Sequence, residues 1–208
     1  MLATLADFPF ERPAADRAKL ATPAAVIAAF PEVEVLIDGT EPPSRRPQGW
    51  DQPKPFDSGK KKRPTVKDRS VCTPEGRIGG VSDTAPGSTH DLTMMRQDGT
   101  LDRLDEGEAA MADKAYTGGQ KDRPGTPPVV PTKATRGHPL TEEQKGANRV
   151  ISGYRVVIEH VMAQLNRFQV LKQVFRSEFE RHTGVIRVVA ALVDRRIATV
   201  PLKTDALT

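Results

Sequence analysis

The sequence predicts an α/β domain, a mixed five-stranded sheet flanked by helices. Three observations predict it. Short apolar runs alternate with helical patterns in the order strand, strand, strand, helix, strand, strand, helix, helix. The second and third strand candidates are joined by a tight turn, TPEG, so they read as a hairpin. A crossover helix then returns the chain to the sheet, which implies mixed strand directions with helices packed on it.

Residues 1–30 are rich in Ala and Pro with weak periodicity, and read as an arm or remnant rather than a domain. VEVLID, 33–38, is the first strand candidate and ends in an acid followed by Gly39 and Thr40. EPPSRRPQGWDQPKPFDSG is dense in turn formers and reads as a loop, in which Trp50 is a candidate for stacking on a base. TVKDRSVC (65–72) and RIGGVSDT (77–84) form the hairpin. GSTHDLTMMR opens a helix, with Ser88 and Asp91 spaced as a capping box. His90 there is either a DNA contact or a polar residue of the first turn, and the second is favoured. EAAMAD (108–113) is a fourth, buried strand that again ends in an acid, and PVVPTK is a possible fifth.

From about Leu140 to Arg167 the pattern is helical. Ile151, Tyr154, Ile158, Val161, Leu165 and Phe168 recur every three or four residues and mark one buried face. Glu159 lies one residue off that stripe, on an edge it shares with Arg155, Met162 and Asn166. A last apolar helix is expected over 183–197, and 201–208 read as a tail.

Composition narrows the class. The chain has 208 residues, enough for one domain with a real core. A single cysteine, Cys72, excludes an internal disulfide framework and a Cys-based zinc site. No apolar run is long enough to span a membrane, and the N-terminal stretch lacks the basic region of a signal peptide, so a cytoplasmic protein is expected. Nine Lys or Arg fall between Ser44 and Ser70 against three Asp, centred on GKKKR, Gly59 to Arg63. That run reads equally as a solvated face or as a patch for nucleic-acid phosphates.

Three acids stand out by placement: Asp38 ending the first strand, Asp113 ending the fourth, and Glu159 beside the buried stripe. Hard cations such as Mg²⁺ take oxygen ligands, and a pair of such ions activates water and stabilises a leaving oxygen in phosphodiester cleavage. Strand ends also collect turn-forming acids, and Glu159 with Arg155 would serve equally as an i,i−4 salt bridge.

VLIDGTEPP, GKKKRPTVK, APGSTHDL, ADKAY and RVVIEHVMAQLNRFQVL, in that order over about 33–198, resemble the DDE transposases of IS5-like insertion sequences, relatives of the Harbinger-type elements. The resemblance implies an RNase H-like catalytic domain over 31–200, with Asp38, Asp113 and Glu159 as catalytic and metal-holding residues. Asp91 is a rival for the second position; Asp113 is preferred because it ends a predicted strand, while Asp91 has a sufficient role as a capping acid. The implied cofactor is two Mg²⁺, with Mn²⁺ able to substitute, and the implied partner is double-stranded DNA, at transposon ends and target, bound by a dimer. Lys60, Lys61, Lys62, Arg63, Lys67, Lys114, Arg155 and Arg167 are the candidate DNA contacts, Arg155 also as a holder of the Glu159 rotamer.

The chain departs from the pattern at three places. Pro64 stands where the family has His, and Asn166 where it has Lys, with Arg167 and Lys172 nearby. Ahead of the first strand no helix-turn-helix is legible, so an upstream polypeptide carrying one is a candidate partner. The activity implied is metal-dependent cleavage at transposon ends followed by strand transfer. The alternative is a remnant that binds DNA or a partner chain without chemistry.

Overall fold

The structure is a computed structural model that describes residues 33–45 and 56–202. The expected arm at 1–30, Trp50 and the last residues of the tail lie outside the described residues. The sheet contains β1 (Val33–Thr40), β2 (Val66–Cys72), β3 (Ile78–Val81), β4 (Ala85–Pro86) and β5 (Ala109–Met111). The order is β3-β2-β1-β5, with β4 also paired to β2. β1 runs parallel to β5 and antiparallel to β2, so the sheet is mixed as expected. The helices are α1 (Asp91–Gln97), α2 (Glu142–Leu165), the short α3 (Gln169–Lys172) and α4 (Glu180–Thr199). None is long and apolar enough to cross a membrane.

Both faces of the sheet are covered, and strand alternation sorts side chains between them. Leu36, Cys72 and Met111 pack with Ile151, Tyr154, Ile158, Val161 and Leu165 of α2 and with Ile186, Val189, Val193 and Ile197 of α4. Val35, Ile37, Val71, Ala110 and Ala112 pack on the other face with Met95, Leu101, Leu104 and Tyr116. The stripe read from the sequence is thus the face of α2 that is buried. A capping box starts that helix: Thr141 Oγ1 accepts from the Gln144 N–H at 3.2 Å, and Gln144 Oε1 accepts from the Thr141 N–H at 3.0 Å.

The central strand β2 is buried at every position although it reads VKDRSVC. Its three charges are each answered, as burial requires. Lys67 meets Glu41 and Asp91. Asp68 accepts from Thr84 at 2.6 Å and lies 3.3 Å from the His182 ring of α4. Arg69 reaches Asp98 and Thr100.

Several expectations are corrected. The segment 77–84 is a strand only over β3, and after residues 82–84 the chain pairs with β2 again as β4, which brings the sheet to five strands in place of the expected PVVPTK. PVVPTK makes only an isolated parallel bridge, Met111 to Val129. Prolines at 127, 128 and 131 flank Val129 and lack the N–H that a longer ladder needs. The helix expected to open at Ser88 starts at Asp91 with His90 in the N-cap position and no side-chain cap bond there. Asp113 lies two residues beyond β5, where its carboxylate caps a short 3₁₀ turn, Lys114–Tyr116.

Pro64 fits its position. It bridges Asp57, and its carbonyl accepts from Ser44, while the neighbouring Ser58 and Thr65 amides supply the cross-strand bonds. Its missing N–H is not called on. Gly76 closes the hairpin turn at φ +84°, a conformation natural to glycine, and an added Cβ would lie 2.6 Å from Leu202.

Candidate active site

The pairing of β1 with β5 decides which acids meet. Leu36 is the register partner of Met111. Two residues further along each chain, on the same face, come Asp38 and Asp113. Two segments separated by some 70 residues therefore deliver two carboxylates side by side at one sheet end.

Helix α2 supplies the cation between them. Arg155 follows Tyr154 of the buried stripe, and its Nη1 lies 3.3 Å from Asp113 Oδ1 while Nη2 lies 3.9 Å from Asp38 Oδ2. Asp38 Oδ1 also accepts from the Gly39 N–H at 2.9 Å, and Asp113 Oδ1 from the Lys114 N–H at 2.6 Å. The Asp38 carboxyl titrates above the ordinary aspartate range. Burial is the main cause; the Gly39 N–H and Arg155 oppose it, and the charges of Asp113 and Glu159 add to it.

Glu159 lies one turn beyond Arg155 and is exposed. Its carboxylate acts on Asp38 more weakly than any other group that moves that titration. Among the described residues, no three of His, Cys, Asp and Glu converge closely enough to hold a metal ion. As the side chains stand, the Arg155 guanidinium supplies the positive charge between the two aspartates.

Asp38 and Asp113 line an open pocket of about 390 Å³. Its basic side carries Lys60, Lys61, Arg63 and Lys172, and its other walls include Glu41, Lys67, Asp91, Tyr116 and Asn166. Burial, and then the Asp91 carboxylate, push the Tyr116 phenol far above its ordinary range, so it stays protonated.

The expected DNA contacts divide by placement. Lys60, Lys61 and Arg63 are exposed on the pocket rim, and Lys62 is exposed in the same loop. Lys114 is exposed just after Asp113. Arg167 is exposed and bonds Gln164 at 3.2 Å. Lys67 is buried and points inward, and Arg155 faces the aspartates rather than Glu159. Sequence reasoning missed Glu41 and Ser58 as parts of this pocket's support. The one sequence signal for Glu41 was its position directly after Asp38-Gly39-Thr40.

A family model of DDE superfamily endonucleases matches residues 37–194. The chain is 29% identical, over 164 residues, to a protein described as a probable transposase for insertion sequence element IS702 from Microchaete diplosiphon. That match covers 79% of this chain and 57% of the relative, so the chain spans little more than half of the relative's length. No solved structure matches. The sheet-end aspartates, the basic pocket and a family match running from β1 into α4 lead to one conclusion: the chain belongs to the DDE superfamily endonucleases and is a DDE-type transposase domain.

Proposed function

We propose that residues 31–200 form an RNase H-like catalytic domain that cuts phosphodiesters at transposon ends and transfers the freed strand into target DNA. The observation that carries this reading is the approach of Asp38, in β1, and Asp113, two residues beyond the parallel strand β5, to the same Arg155, inside a pocket with a lysine and arginine rim.

The donors suit hard divalent cations, Mg²⁺ or Mn²⁺, two per site. Carboxylate oxygens are their natural ligands, and the half-buried Asp38 carboxylate, whose ionisation is opposed by desolvation and by two neighbouring acids, is relieved by added positive charge. Asp38 and Asp113 would hold them, with Glu159 on the adjoining edge of α2. When bound, such ions supply Lewis acidity and an activated water.

The chain's own residues position the substrate. Lys60, Lys61, Lys62, Arg63 and Lys114, with Lys172, lie where a phosphodiester backbone passing over the aspartates would run, and each cation placed on a phosphate releases counterions. Asn166, at the C-cap of α2, offers an uncharged amide in the same wall. Arg155 offsets one of the two aspartate charges and bridges both carboxylates. Joining two ends calls for two such sites, so the acting form is a dimer on double-stranded DNA in the cytoplasm, with sequence recognition from an upstream helix-turn-helix polypeptide.

A second reading is binding of DNA or a partner chain without chemistry. The exposed Glu159, outside the pocket wall, and Asn166 in place of a lysine favour it. Nicking of supercoiled plasmid in Mg²⁺ or Mn²⁺ separates the two. The catalytic reading expects nicking by the wild type and none by Asp38→Asn or Asp113→Asn, each still folded and still DNA-bound. Nicking that survives either substitution refutes the assignment; DNA binding with no nicking by any form selects the second reading.

A further inference from the structure

Three separate sequence motifs meet at one buried ammonium. Lys67, from GKKKRPTVK, is 7% exposed in the central strand. Its Nζ donates to the Thr89 carbonyl at 2.8 Å and lies 3.3 Å from Glu41 Oε1 and 3.3 Å from Asp91 Oδ1. Glu41 belongs to the DGTE motif, and Thr89 and Asp91 to GSTHD. The Thr89 carbonyl takes one donor of the ammonium, and the two carboxylates pair with its charge.

The contacts continue outward to the basic loop. The second oxygen of Glu41, Oε2, accepts from the Ser58 hydroxyl at 2.7 Å. Ser58 is 2% exposed, and its hydroxyl oxygen accepts from the Lys61 N–H at 2.9 Å. Its carbonyl accepts from the Lys62 N–H at 2.8 Å, and its own N–H donates to the Arg63 carbonyl at 3.1 Å. Every polar group of Ser58 thus closes the loop Gly59–Arg63, including Lys62 at a φ of 54°, left-handed for a residue other than glycine. On its other side the same cluster reaches the catalytic strand, since a Cβ placed on Gly39 would lie 3.3 Å from Asp91 Oδ1.

We infer that Lys67 is a positioning residue and not a DNA contact: through Glu41 and Ser58 it holds the exposed cations Lys60–Arg63 at the pocket mouth, in a set relation to Asp38. The inference rests on the DNA-binding reading of that pocket. A buried ammonium with three partners stays where it is, because leaving would strand two carboxylates facing one another.

Two measurements test it. Limited trypsin digestion, with the cuts mapped by mass spectrometry, reads how firmly the loop is held. Salt dependence of binding to a random-sequence duplex of about 30 base pairs counts phosphate contacts, each contributing a slope of about 0.9. Ser58→Ala and Glu41→Gln should speed cleavage after Lys60, Lys61 and Lys62 by roughly threefold or more, with cuts elsewhere unchanged; the Arg63–Pro64 bond is not a trypsin site. Lys67→Met should speed the same cuts and weaken binding while the salt slope stays at the wild-type value; Lys61→Gln should lower the slope by about one.

Unchanged loop cleavage in both Ser58→Ala and Glu41→Gln overturns the inference, as does a slope lowered by about one in Lys67→Met. Should Lys67→Met lose its circular-dichroism signature of folding, Ser58→Ala and Glu41→Gln decide the matter. Should the wild type fail to bind the duplex, the DNA reading falls while the trypsin map still judges whether Lys67, Glu41 and Ser58 hold the loop.

Discussion

Helix α4 is fastened to the edge strand β3 by one carboxylate, and removing it tests the packing quantitatively. Asp194 is buried; Oδ1 accepts from Arg77 Nε at 2.8 Å and from the Ile78 N–H at 2.9 Å, and Oδ2 accepts from Arg77 Nη2 at 2.7 Å. The Arg77 side chain is 34% exposed, so solvent screens the pair and water takes up the guanidinium once its partner is gone. The ion-pair share of the loss is therefore about 1–2 kcal/mol rather than the full cost of breaking a buried pair. The Ile78 N–H has no such relief, and a stranded buried donor costs about 1–3 kcal/mol. Asp194→Ala should thus cost about 3 kcal/mol, a fall in Tm of roughly 6–12 °C for a domain of this size. Asp194→Asn keeps an oxygen for the Ile78 N–H and should lose only about 1 kcal/mol. Arg77→Ala combined with Asp194→Ala should destabilise by less than the sum of the two, with a coupling of about 1–2 kcal/mol. Urea unfolding followed by circular dichroism measures the four variants beside the wild type. A cost below about 1 kcal/mol for Asp194→Ala would show that the strand–helix contact does not depend on this carboxylate, and an Asn variant as unstable as the Ala variant would refute the share assigned to the Ile78 N–H.

Three further outcomes are expected. Asp38 titrates above its unfolded value, so its ionisation weakens the fold as pH rises through the folded-state pKa, and that penalty is absent below about pH 3.8. Asp38→Asn should therefore raise Tm at neutral pH and lose that advantage in acid; thermal melts across pH check it, and a lower neutral Tm would contradict the sign. Gly87→Ala should destabilise by about 1–3 kcal/mol, since its Cβ would fall 1.9 Å from Thr65 Oγ1 and 2.8 Å from the Thr65 carbonyl. Thr141→Ala removes the cap of α2 and should cost about 1 kcal/mol in chemical denaturation, with the trypsin map of 59–63 unchanged.

Much of this protein is local and was legible without coordinates. The stripe from Ile151 to Leu165 declares the buried face of α2 because helical spacing repeats every 3.6 residues whatever the surroundings. The hairpin of β2 and β3 announces itself in TPEG for the same reason, as its turn lies within a few residues of chain. Even the edge position of Arg155 and Glu159 follows from counting around the helix.

What the tertiary structure decided is non-local. The meeting of Asp38 with Asp113 depends on the register of Leu36 with Met111, which no periodicity encodes. Arg155 reads as a partner for Glu159 one turn away, yet the strands beneath offer two carboxylates to its guanidinium, and it turns to them. Lys67 carries the same charge as its neighbours in GKKKRPTVK and looks like another phosphate contact. Its position on the central strand places it in the interior, where a charge must be answered, and Glu41, Thr89 and Asp91 arrive from distant segments to do so. A sequence declares the type and period of its side chains; which charge faces solvent and which faces another buried charge is settled only when the strands are paired.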